Sequence, residues 1–153
     1  MTSTPRLEKV TRQNVLAACR LKLRPEQEGL VAPVSWSLAL AYVIPPEKIW
    51  PRLVYDGDRL VGFIMAAFDP DNEHELWHSF LWRLFIAADH QGQGYGRFAL
   101  EELYAEALGR GHQRLMTSWA QREHGPENFY LRLGFQLTGE KYDDEVIGVR
   151  SLT

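Results

Sequence analysis

Cysteine is almost missing from this chain: Cys19 is the single thiol in 153 residues. That excludes an intrachain disulfide framework and any metal site built from several cysteines, and it suits a reducing compartment such as the cytoplasm. No stretch reaches the roughly 18 consecutive apolar residues of a membrane-spanning helix. Residues 1–8 lack the apolar core of a signal peptide, so neither a membrane nor export is expected. Positive charge is not in surplus either. Seventeen Lys and Arg stand against 20 Asp and Glu, for a net charge of −3, so neither nucleic acid nor an anionic lipid surface is an expected partner. The five histidines follow no metal-ligand spacing, and no metal is expected. Internal repeats, linkers and low-complexity tracts are absent.

What is present is ordinary in bulk. Hydrophobic residues make up 45% and charged residues 24%, values typical of a globular protein. The length suits one domain over residues 1–153, able to bury roughly two-thirds of its unfolded surface. The surplus is in tryptophan, of which there are five.

Hydrophobic periodicity and turn residues divide the chain into eleven elements. Strands are expected at residues 6–10, 52–55, 60–68, 76–87, 113–119, 135–138 and 146–152. Helices are expected at 12–20 (capped by Thr11), 37–43 (stopped by Pro45-Pro46), 97–108 and 127–133. Asp56-Gly57 is a strong hairpin signal between the second and third strands. The order β-α-α-β-β-β-α-β-α-β-β, with hairpins and crossovers together, implies an α/β (α+β) domain: a mixed sheet covered by helices on both faces.

The most informative stretch is Leu84-Phe-Ile-Ala-Ala-Asp-His-Gln91-Gly-Gln-Gly94-Tyr-Gly96-Arg97. A buried strand enters a turn with three alternate glycines and leaves as a helix. Leu100, Leu103, Tyr104, Ala107 and Leu108 line one face of that helix. Unpaired N–H groups at a helix start attract anions. Glycines let the backbone approach a phosphate closely, and Arg97 adds charge. A ligand-free glycine turn is the plain alternative. No Gly-Lys-Ser/Thr run completes a Walker A loop, and the dinucleotide pattern fails because Arg97 and Ala99 stand where it needs glycine.

Read as Q/R-x-x-G-x-G/A, Gln91 to Gly96 resembles the pyrophosphate loop of the GCN5-related N-acetyltransferase (GNAT) family. Two further segments are similar to that family: Asn128-Phe-Tyr130-Leu-Arg-Leu-Gly134-Phe135, and the hairpin Val54-Tyr-Asp-Gly-Asp-Arg-Leu-Val-Gly-Phe63. Within the family the chain looks most like bacterial acetyltransferases of the spermine/spermidine type.

The resemblance implies a GNAT fold with six to seven strands and a splayed pair of parallel strands, residues 81–87 and 113–119, holding acetyl-CoA as cosubstrate. It implies cofactor contacts from the backbone of Leu84, Phe85 and Ile86 and from Gln91, Gly92, Gln93, Gly94, Tyr95, Gly96 and Arg97. Tyr130 matches the tyrosine that serves as general acid toward the leaving thiolate. A backbone N–H near Phe85 or Ile86 is the expected oxyanion donor. The family often has asparagine seven residues before this tyrosine; here Glu123 stands there, and that role is not carried over. Candidates for the base are Glu73, Glu75, His78 or a water chain, with Glu75 taken as the base. Trp36, Trp77 and Trp82 are the acceptor-site candidates, since aromatic faces suit amines. Arg83 is open among cofactor, acceptor and surface roles. The implied reaction moves acetyl to a primary amine by direct attack in a ternary complex. A polyamine or other small amine is the expected acceptor. The alternatives are a protein or peptide acceptor, or a non-catalytic acyl-CoA-binding regulatory domain. Dimers are common in the family, so the resemblance allows a homodimer, while the sequence itself does not set the oligomeric state.

Overall fold

The computed structural model describes residues 4–153; residues 1–3, on which the reading of the amino terminus partly rests, lie outside the described residues. The elements are β1 (Pro5–Glu8), α1 (Val15–Cys19), α2 (Val34–Val43), β2 (Ile49–Asp56), β3 (Arg59–Ala67), β4 (Phe80–Ile86), α3 (Tyr95–Gly109), β5 (Arg114–Trp119), α4 (Glu127–Arg132), β6 (Gln136–Tyr142) and β7 (Glu145–Ser151). Their order is the one expected from periodicity. Among the described residues, no helix is long and apolar enough to cross a membrane.

The seven strands form one sheet in the order β1-β2-β3-β4-β5-β7-β6. All neighbours are antiparallel except β4 and β5, which run parallel. Strand alternation sends apolar side chains to both faces. On one face α3 and α4 cover Val54, Ile64, Leu81 and Leu115, with Leu100 and Leu103 of α3 fully buried. On the other face Ala18 of α1 and Val34 of α2 pack against Leu53, Phe63, Met65 and Phe85.

One expected element is shorter than its hydrophobic run suggests. The apolar stretch from residue 76 does not enter the sheet at once. Glu75–Trp77 forms a 3₁₀ turn, and β4 begins only at Phe80. The Leu76 N–H donates to His74 Nδ1 at 3.1 Å, and the Asp69 N–H to the Trp77 carbonyl at 3.0 Å. Leu76 is fully buried, so burial alone makes it look like strand, which is the ambiguity inherent in short apolar runs.

The irregularity that shapes the molecule lies in β4. Met65 pairs with Arg83 but Ala66 pairs with Leu81, leaving Trp82 as an extra residue. This is a β-bulge, which bends its strand and disrupts the ladder locally. The parallel ladder with β5 consists of Phe80↔Met116 and Leu81↔Thr117 and stops at the bulge. Thr117 Oγ1 donates to the Leu81 carbonyl at 2.9 Å at that end. Beyond it the two strands part. β5 instead keeps a full antiparallel ladder with β7, from Arg114↔Ser151 to Trp119↔Val146.

That ladder depends on a close fit at Gly148, where a methyl group would lie 2.6 Å from the Trp119 ring. Gly148→Ala is expected to destabilise the protein by about 1–3 kcal/mol through overpacking, read as a lower midpoint in urea unfolding with an unchanged m-value.

Candidate functional site

The parted strands open a cavity of about 960 Å³. One end is the glycine turn, the middle is the gap between β4 and β5, and the other end is an aromatic chamber beneath the segment between α1 and α2.

At the turn, Gly92 has φ +76° and Gly94 φ +88°, backbone that favours glycine. Nothing lies within 4 Å of where a Cβ would sit on either, so the turn presents bare backbone to the cavity. Gly94 is the N-cap of α3, whose first N–H groups have no intrahelical partner. Arg97 lines this end, and Arg122 and Arg132 line the same cavity. The last two were not among the residues singled out from sequence, because they belong to α4 and the loop before it and join the same cavity only in three dimensions. His90 Nδ1 is buried in the same wall without a hydrogen-bond partner. Bare backbone, a helix N-terminus, three guanidinium groups and an orphaned polar atom fit a diphosphate.

Two residues whose backbone is expected to contact the cofactor have side chains with structural partners. The Gln91 amide donates to the Ile86 carbonyl at 2.9 Å and to Gln27 Oε1 at 2.7 Å, and Gln27 donates back to Gln91 Oε1 at 3.1 Å. The start of the turn is thus tied to the end of β4 and to the 3₁₀ turn Pro25–Gln27. Tyr95 is buried, and its phenol donates to Asp56 at the end of β2. What Gln91 and Tyr95 offer a ligand is backbone. Gly96 packs against Phe129, 3.1 Å from where a Cβ would be, joining α3 to α4.

In the gap, strand alternation decides which peptide groups are available. The Ala87 N–H bonds to the Val61 carbonyl, and Phe63 pairs with Phe85. Peptide groups in an antiparallel strand face alternate sides. Phe85 therefore bonds to β3, while Leu84 and Ile86 turn theirs toward the gap. The expectation for Phe85 is corrected on this ground: its backbone is used inside the sheet and its ring is in the core.

Tyr130, on α4, lines the gap between Thr117 and Trp119, with the Trp119, Phe129 and Phe135 rings at 5.2, 5.4 and 5.5 Å. Burial above all, and Tyr104 nearby, push its phenol above the ordinary range, against a smaller opposing effect of a hydrogen bond with Thr117. Tyr130 therefore stays neutral at any ordinary pH.

The chamber holds Trp77 and Trp82, their rings 5.1 Å apart at 87°, with Phe80 and Tyr142 beside them. Arg83, Asp143 and Glu145 carry its charge. Glu145 accepts from Ser118 Oγ at 2.8 Å. Two expected residues are not here. Trp36 is 67% exposed on α2 and does not line the cavity. Glu75 lies at the opposite end of β5, paired with Arg114 at 2.6 Å, outside the cavity. The 3₁₀ turn causes this: it sends Leu76 and Trp77 toward the cavity and Glu75 away from it. No group of three or more potential metal ligands occurs among the described residues.

The sequence profile of the Acetyltransferase (GNAT) family matches residues 15–135. Spermine/spermidine N(1)-acetyltransferase of Bacillus subtilis is 31% identical over 105 residues, covering 65% of this chain and 68% of that one. N-acetyltransferase 8F1 of Rattus norvegicus is 24% identical over 99 residues, which cover 63% of this chain and 45% of the relative's length. Among solved structures, an acetyltransferase from Thermus thermophilus superposes with a TM-score of 0.76 at 26% identity, covering 97% of each chain. PaiA N-acetyltransferase from Thermoplasma acidophilum, solved with coenzyme A, superposes with a TM-score of 0.70 at 13% identity, covering 97% of this chain and 99% of that one.

The Gln27–Gln91 pair gives the turn a testable mooring. Gln91→Ala is expected to weaken acetyl-CoA binding about tenfold by calorimetry, the size of one lost charge-neutral mooring bond. Gln27→Ala should act in the same direction, and the double variant should be less than additive. Full additivity would show that the two amides act separately.

Proposed function

This chain belongs to the acetyltransferase (GNAT) family, with acetyl-CoA as cosubstrate, and we propose that it moves the acetyl group to the primary amine of a small molecule held in the aromatic chamber. The observation that carries this reading is the single continuous cavity, which joins an anion-binding turn, a gap lined by unpaired peptide groups, and a separate chamber with its own charged residues. When bound, acetyl-CoA supplies an activated acyl thioester.

The chain's own groups divide the work. The N–H groups of the turn from Gly92 to Arg97, with Arg97, Arg122 and Arg132, hold the diphosphate. The Leu84 peptide groups and the Ile86 N–H extend the sheet ladder to the pantetheine amides, as an added strand would. Tyr130 Oη would donate a hydrogen bond to the departing sulfur; burial keeps the phenol protonated and so able to donate. An alkyl ammonium must lose a proton before its nitrogen can attack. Glu145 takes over the role first given to Glu75. It lines the chamber, it is held by Ser118, and its field reaches both Tyr130 and Arg83. A polyamine belongs to the acceptor class proposed, and the name of the Bacillus relative supports that class. One domain over residues 1–153 is sufficient for all of these roles.

Release of free thiol from acetyl-CoA, followed across polyamines, amino acids, aminoglycosides and peptides, tests the reading. Turnover on a small amine supports it. Turnover on peptides alone would place the acceptor among proteins, and tight acetyl-CoA binding with no turnover on any of them would indicate a regulatory domain instead.

Two variants test the residue roles. Tyr130→Phe is expected to lower kcat by about 100-fold with little change in acetyl-CoA affinity by calorimetry. Because the phenol titrates above its usual value near 10, the wild-type rate should show no descending limb below about pH 10 from this group. Glu145→Gln should lower kcat at neutral pH by about tenfold or more, with recovery as pH rises and the free amine forms. An activity loss independent of pH would remove Glu145 from the proton path.

A further inference from the structure

The bulge that parts β4 from β5 also does something to the side chains. In a regular strand Trp82 and Arg83 point to opposite faces. With Trp82 as the extra residue, both lie on the α2 side of the sheet. Trp82 packs with the core cluster on that face, and Arg83 Nε donates to Ser37 Oγ of α2 at 3.2 Å. The Arg83 guanidinium lies 5.2 Å from the centre of the Trp82 ring, and Nη1 donates to the Trp82 carbonyl at 3.3 Å.

The partners found this way are all neutral. Among the described residues no carboxylate forms an ion pair with Arg83, and Nη2 has no hydrogen-bond partner. Burial in the cavity wall depresses the guanidinium pKa, and the negative field of Glu145 offsets part of that cost. A half-buried guanidinium without a carboxylate is expensive. Here it is also held rigid, by Ser37, by the Trp82 carbonyl and by a ring face. Ser37 is itself fully buried, and orienting Arg83 accounts for a polar residue on the inner face of α2. A fixed guanidinium that lines the cavity, with no ion-pair partner and with Nη2 unbonded, matches a carboxylate.

Resting on the acetyl-transfer reading above, we propose that the acceptor carries a carboxylate as well as its amine: an amino acid with an apolar or aromatic side chain, its carboxylate held by Arg83, its amine directed to Glu145, and its side chain against Trp77, Phe80 and Tyr142. A polyamine would bring a second positive charge against Arg83. An amino acid instead pairs each of its charges with the opposite one across the chamber.

The test compares matched acceptors that differ only in the carboxylate: phenylalanine with phenethylamine, and methionine with 3-(methylthio)propylamine, with spermidine as the polycation. Thiol release should give kcat/KM roughly 100-fold higher for each amino acid than for its amine, since a site built around a charged contact rejects analogues lacking it. In Arg83→Gln that ratio should collapse toward one, through KM for the amino acid. Arg83→Lys should restore part of it, and Ser37→Ala should lower it several-fold. Tryptophan fluorescence of the CoA-loaded protein gives an independent readout through Trp82: phenylalanine should bind the wild type and bind Arg83→Gln roughly 100-fold more weakly. If the amines or spermidine are acetylated as well as the amino acids, or if Arg83→Gln leaves the ratio unchanged, the carboxylate proposal fails while the acetyltransferase reading stands. If nothing in this panel is turned over, the carboxylate proposal fails, and the wider acceptor panel above decides the small-amine reading.

Discussion

The two-residue ladder between β4 and β5 is the constraint on which the rest of the structure depends. Parallel strands that leave the sheet with unpaired peptide groups pay a desolvation cost. The fold limits this cost with local devices. The bulge at Trp82 bends β4 immediately after the last pair, Leu81↔Thr117. Thr117 covers the Leu81 carbonyl, and the Gln91 side chain covers that of Ile86. What remains unpaired at Leu84 and Ile86 is the strand-like edge a pantetheine arm can complete. The same opening gives Tyr130 a place between the strands.

The glycine turn is held in position by groups remote in sequence. Asp56, at the end of β2, fixes Tyr95. Gln27, in the segment between α1 and α2, fixes Gln91. Phe129, one residue before Tyr130, packs on Gly96. The glycine turn and the helix that presents Tyr130 are therefore in direct contact. Orientation of this kind lets a backbone N–H site act without reorganising when its ligand arrives.

At the far end, the chamber combines crossed aromatic rings with two signs of charge. Trp77 and Trp82 need the bulge and the 3₁₀ turn to reach it. Both irregularities lie where β4 starts and bends, so one short stretch of chain sets the opening of the gap and the character of the chamber together.

The elements, their order and the turn were legible in the amino acids, because helical spacing, Asp56-Gly57 and the run Gln91-Gly-Gln-Gly94-Tyr-Gly96 are local signals governed by neighbouring residues. Tyr130 was legible for a related reason: its segment resembles a family block, and it stands inside the gap. The residue proposed as the base was not legible. Glu75 and Glu145 are equally plain carboxylates in sequence, and only the 3₁₀ turn of Glu75–Trp77 and the β5–β7 ladder put one beside Arg114 and the other in the chamber. Trp36 and Trp82 differ likewise by the face each element presents. Local structure follows from short-range sterics and hydrogen bonding, which a sequence determines by itself. Which charges share a low-dielectric cavity depends on contacts between residues tens of positions apart, and those exist only once the sheet has closed around them.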